Sequence, residues 1–105
     1  MSKTKQKDDP VRGQIEDALE EYVVEHPGAK FKVKRQNSVA IRIRVTGPAF
    51  RGMDRLKREE QVWEFLDKLP DKARSQITFV LLLTPEEERD SLLNQEFERP
   101  TRSRL

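Results

Sequence analysis

Cysteine is absent from this 105-residue chain, and that absence removes several kinds of chemistry together. The chain alone forms no disulfide, no zinc–thiolate or iron–sulfur thiolate site, and offers no thiol nucleophile. Histidine occurs once. His26 stands beside Pro27-Gly28, where it suits the end of a helix and an imidazolium complements the helix dipole. Glycines number four. The nearest approach to a phosphate loop, Gly47-Pro48-Ala49-Phe50-Arg51-Gly52, continues into Met53-Asp54 where Lys-Ser/Thr is needed. Ser2, Ser38, Ser75, Ser91 and Ser103 lack a nucleophile-elbow setting. No apolar run approaches the roughly 20 residues of a membrane span, and the N-terminus has no signal-peptide core. A cytoplasmic address without a membrane partner is expected. Enzyme is the least supported class, and no cofactor or metal site is expected.

Charge is plentiful: charged residues make up 38% of the chain against 34% hydrophobic, yet the net charge is only +2. The distribution is uneven. Residues 8–25 hold seven acids against Arg12, residues 30–58 hold ten Lys/Arg against Asp54, and residues 59–98 hold eleven acids against four bases. A basic block between acidic segments is either a polyanion-facing surface or a basic sheet neutralised by acidic helices of the same fold. Glu59-Glu60 and Glu86-Glu87-Glu88 fit the second reading, because negative charge is stabilised in the first turns of helices.

The apolar residues are periodic. Residues 1–8 are polar and unpatterned and read as a disordered arm. Asp9-Pro10 starts a helix, with Asp9 as N-cap and proline at the first position. Val11, Ile15, Ala18, Leu19, Tyr22 and Val23 share its inner face. Lys30-Phe31-Lys32-Val33-Lys34 alternates, as do Val39, Ile41, Ile43 and Val45 against Ala40, Arg42 and Arg44. Together they predict a hairpin with one oily and one cationic face. A second helix is expected from Asp54 to about Leu69, carrying Leu56, Val62, Trp63, Leu66 and Leu69 inward, with a well-buried strand over 76–84. Thr84-Pro85-Glu86-Glu87 has the form of a capping box, and opens a last helix with Leu92, Leu93 and Phe97. The expected fold is α+β: a two-layer α/β sandwich, αββαβα in order, on a three-stranded mixed sheet. It is one domain over 9–98 with a flexible tail over 99–105.

The most specific string is Phe50-Arg51-Gly52, five residues, Arg58-Glu59, two residues, Val62-Trp63. It resembles the signature of the BolA-like family: Phe-x-Gly, a five-residue gap, Arg-His, two residues, then an aliphatic and an aromatic. The resemblance covers about residues 11–90 and implies the type II K-homology-like fold. It also implies pairing with a monothiol glutaredoxin around a shared [2Fe–2S] cluster. This chain departs at the ligands: Glu59 replaces the histidine, Leu83 stands where a second histidine is common, and the hairpin loop offers Gln36-Asn37. A carboxylate is a poor substitute for imidazole at such iron, so a member without cluster ligation is expected.

Each motif residue also has a structural reading. Gly52 suits a positive φ, Phe50 and Trp63 suit a core, and Arg58 can pair with acids on its own helix. Two functions remain. One is a protein-interaction or adaptor module using Phe50, Gly52, Arg58, Glu59 and Trp63, helix two and the sheet edge. The other is a weak nucleic-acid-binding module using Lys30, Lys32, Lys34, Arg35, Arg42, Arg44, Arg51, Arg55 and Arg58. No Gly-x-x-Gly clamp is present, and no aromatic residues for base stacking are interleaved with the basic strands, Phe31 being on the buried side.

Overall fold

A helix start tied to a strand organises one end of the molecule. The computed structural model describes residues 9–99, so the arm expected over 1–8 and the tail beyond Arg99 lie outside the described residues. Helix α1 (Pro10–Glu25) begins where the Asp9 carboxylate accepts from the Arg12 amide at 3.1 Å. The same carboxylate receives both arms of the Arg35 guanidinium at 2.8 and 2.9 Å. That fork holds the Asp9 carboxyl below its usual pKa. At the other end His26 stacks on Tyr22 with ring centroids 4.1 Å apart. His26 is the residue that caps the helix, as its neighbours Pro27-Gly28 suggest.

Strands β1 (Lys30–Asn37) and β2 (Ala40–Thr46) are antiparallel, pairing Phe31 with Val45 and Val33 with Ile43. The hairpin turn takes Val39 out of the expected inward row. The Asn37 side chain accepts from the Val39 amide at 2.9 Å, and Val39 is left exposed. A 3₁₀ turn over Pro48–Phe50 leads to α2 (Arg55–Leu66), whose N-cap Asp54 accepts from the Lys57 amide at 2.9 Å. α2 ends at Leu66, short of the expected Leu69. After Pro70 the chain starts a further short helix, α3 (Asp71–Ser75), which buries Ala73. Leu56, expected inward, is 64% exposed.

Strand β3 (Ile77–Leu83) then joins β2 in parallel, giving the order β1-β2-β3. α1 and α2 cover one face of this mixed sheet. Ile15, Leu19, Tyr22, Val62 and Leu66 pack there against Ile41, Ile43 and Val45. The predicted α+β sandwich with its three-stranded mixed sheet is therefore the observed architecture. The capping box at Thr84 is present with both of its hydrogen bonds, at 3.0 and 3.1 Å. The helix it opens is two short ones, α4 (Pro85–Asp90) and α5 (Leu92–Glu98). The break falls at Ser91, whose hydroxyl accepts from the Leu93 and Asn94 amides and so starts α5 anew. Leu92 and Leu93 are exposed, and Phe97 alone is buried, with Leu81, Leu83 and Phe79 on the second sheet face.

Candidate functional site

The motif residues fall around the loop between β2 and α2 and do different jobs. Phe50 is fully buried beside Tyr22, with ring centroids 6.3 Å apart. Gly52 has φ +79°, and a Cβ there would meet nothing within 4 Å, so glycine serves the backbone angle. Arg58 does not pair along its own helix. Its Nε donates to the Met53 carbonyl at 3.0 Å, and its Nη1 donates to the Leu82 carbonyl at 3.0 Å and to Glu87 at 2.7 Å. One guanidinium thus fastens the loop, β3 and the start of α4. It also pulls the Glu87 carboxyl below its ordinary pKa. Glu59 instead pairs with Arg55 one turn away at 3.2 Å. Trp63 is half-buried on the same side of α2.

Arg51 reaches Glu86 at 2.6 Å and lowers the Glu86 pKa to about 2. Both side chains are more than half exposed, at 55% and 58%, so the pair adds little to stability.

These residues border the outer edge of β3. The Gly47 amide donates to the Leu83 carbonyl at 2.9 Å, so Leu83 turns its backbone groups toward β2. Parallel-strand alternation gives Phe79 and Leu81 the same sense, and turns the N–H and C=O of Val80 and Leu82 outward. Arg58 occupies the Leu82 carbonyl. The outward strand edge forms the floor of a groove of about 340 Å³ between Met53, Arg55, Arg58 and Glu59 on one side and Leu93 on the other. The groove continues past Trp63 and Thr78. Where the sequence predicts a well-buried strand, the first half of β3 is half-exposed or exposed, because the strand lies at the sheet edge. A larger hollow of about 500 Å³ lies along α5, but α5's polar side chains make most of its wall.

The two edges of the sheet are guarded differently. β1 carries Lys30, Lys32, Lys34 and Arg35. β3, ITFVLLL, carries no charge at all. Charged residues are the usual protection of a free strand edge. The signal for this groove is in the sequence, in an uncharged nine-residue stretch over 76–84. Edge position is not, because strand order depends on topology.

The basic sheet face is largely engaged. Arg42 and Arg44 are buried. Lys34 donates to the carbonyls of Phe97 and Glu98 at 2.9 Å each. Arg44 pairs with Glu98 and donates to Asn94, and Lys32 reaches Glu98 at 3.3 Å. Lys30 faces Glu88 at 3.6 Å. Phe31, the one ring of the basic strands, packs against the core on the other face. The rings on the cationic face come from elsewhere: the Arg42 guanidinium lies 4.7 Å from the Phe79 ring and 5.8 Å from that of Phe97. Arg51 and Arg55 lie away from this face, paired with Glu86 and Glu59.

His26 stacks on Tyr22 and meets Phe65 edge-on, while Glu59 is held by Arg55. Among the described residues no group of three His, Asp or Glu side chains is placed to hold a metal ion. No helix there is long and apolar enough to cross a membrane. No known family model matches the chain, and no curated protein matches it.

Proposed function

We propose that this protein is a non-enzymatic interaction module of BolA-like type, which takes an extended segment of a partner protein as an added strand along the outer edge of β3. The observation that carries this reading is an uncharged edge strand lying in an apolar groove, opposite an edge full of lysines. The outward N–H and C=O of Val80 and the N–H of Leu82 would supply main-chain hydrogen bonds. Met53, Trp63, Phe79 and Leu93 would receive side chains on either side. The fitting segment is apolar at alternate positions and carries an acidic residue where it passes Arg55, whose side chain is 88% exposed. A monothiol glutaredoxin is the partner class that the family resemblance names. Glu59, engaged by Arg55, stands where that family's imidazole would be, and so no cluster ligation belongs to this proposal.

The test uses a photoreactive residue at Arg55 and, as control, at Lys32. The segment cross-linked from Arg55 is then made as a peptide and titrated into the protein. Slowed exchange of the Val80 and Leu82 amides on binding is the expected result. A peptide that binds while leaving those two amides unchanged removes the proposal, as does equal cross-linking from the β1 edge.

A further inference from the structure

The sheet face under α5 is built like a site with its occupant already in place. Phe97 lies flat over it, stacked toward Phe79 at 6.4 Å and 22° between planes. Lys34, Arg42 and Arg44 point their cations at the same ring, at 5.1, 5.8 and 5.3 Å. Beside the ring, the Glu98 carboxylate takes Arg44 and Lys32. An aromatic plane with an anion next to it, received by cations and a stacking ring, has the recognition chemistry of a nucleotide unit in a single strand. We infer that this face is a binding site for single-stranded nucleic acid, and that α5 fills it as an internal competitor, Phe97 in the place of a base and Glu98 in the place of a phosphate.

Three observations support that assignment. First, cations outnumber their partners. Among the described residues, Glu88 and Glu98 are the carboxylates that ion-pair with Lys30, Lys32 and Arg44, while Lys34 has only carbonyl oxygens and Arg42 lies between rings. Second, the fit of α5 is incomplete. The Arg44 side chain is only 9% exposed, yet its Nε has no hydrogen-bond partner among the described residues. A buried guanidinium donor without an acceptor is satisfied by a ligand richer in oxygens, such as a phosphodiester. Third, the cover is slight. α5 has seven residues, shorter than a helix that is stable alone, and buries one side chain.

A ring stack favours nucleic acid over a phosphopeptide or a lipid headgroup, which supply charge without a base. A base on Phe79 and Arg42 would replace Phe97, and the lysines along β1 would follow the backbone. Salt dependence would be steep, because the contacts to the backbone are ionic.

The experiment measures binding of fluorescent oligo-dT and oligo-U of about 12 nucleotides to the full chain by anisotropy, at about 50 mM salt. The wild type is compared with the Phe97→Ala/Glu98→Gln variant. Freed of its competitor, that variant is expected to bind at least roughly tenfold more tightly. Adding Arg44→Gln and Lys34→Gln should return the affinity to the wild-type level. Amide exchange confirms that β2 stays folded while α5 is released. If Phe97→Ala unfolds the sheet, Asn94→Ala/Glu98→Gln releases the helix with the ring retained. Release without a gain in affinity overturns the inference. So does a gain that survives loss of Arg44 and Lys34, or an equal gain for heparin, which would make the face a general polyanion surface.

Discussion

Replacing Phe97 by alanine probes how α5 is held, and the structure sets the size of the effect. The ring is fully buried among Leu81, Leu83 and Phe79, under the cations of Lys34, Arg42 and Arg44. Loss of its burial removes about 2–3 kcal/mol. The cations add up to ~1 kcal/mol for each well-placed partner. A seven-residue helix has no stability of its own to set against that. α5 should therefore leave the sheet as a unit, which avoids the cavity that makes a rigid-core Phe→Ala change cost about 3–5 kcal/mol. The expected picture is local. Amides of 92–98 should exchange roughly 100-fold faster, as ~2.8 kcal/mol implies, while Ile43 and Val45 in the centre of β2 keep their protection. The thermal midpoint should fall by about 11–22 °C for the same ~2.8 kcal/mol loss. Phe50→Ala is the contrast: that ring sits in the main core beside Tyr22 and cannot be released locally, so the global loss should reach about 3–5 kcal/mol. If the α5 amides remain as protected in Phe97→Ala as in the wild type, Phe97 is not the anchor and the account of α5 fails.

Gly52→Val should cost about 1–2 kcal/mol from its positive φ alone, since the space around it is open, and Gly52→Asn clearly less; urea midpoints measure both. Burial raises the Tyr22 hydroxyl to about 12, above the ~10 of an unfolded tyrosine. The stability this reflects is complete below the unfolded value and is lost as pH rises from ~10 through the folded one, and Tyr22→Phe should abolish that alkaline slope. The carboxyls work in the opposite sense. Asp9 and Glu87 are lowered chiefly by hydrogen bonds from Arg35 and Arg58. Desolvation would raise Glu98, but Arg44 and Lys32 outweigh it and leave its pKa low. Their contribution is present above the ordinary carboxylate range of ~4 and is lost as pH falls through the native values. Glu87→Gln with Glu98→Gln should therefore flatten the acid limb of a urea-midpoint-against-pH curve; an unchanged limb would show that these pairs do not carry the acid sensitivity.

Features set by near neighbours along the chain are legible in the sequence itself. Asp9 caps a helix three residues away, Thr84 and Glu87 close their capping box over the same span, and the alternation around Ile41 to Val45 fixes the inward row of β2. Gly52 reads as a turn glycine from its loop, and its φ agrees. What does not show depends on distant partners. The sequence pairs Arg58 with its own helix, because nothing local reveals a carbonyl 24 residues on and a carboxylate 29 residues on. Phe79 and Phe97 do not stand out as companions of the basic strands, since they come from β3 and α5. The edge position of β3 is hidden for the same reason: an apolar strand reads alike whether it is central or at an edge. Ser91, which splits the last helix, is a local signal that the helical pattern conceals, a cap residue following Asp90 in mid-pattern.

The claim on which the proposed interaction rests is that β3 has a free outer edge, and residue-resolved amide exchange of the unliganded protein tests it directly. Phe79, Leu81 and Leu83, paired to β2, should exchange slowly, with Val80 and Leu82 markedly faster, giving a two-residue alternation along one strand. Uniformly slow exchange from Phe79 to Leu83 would contradict it, because the edge would then already be covered.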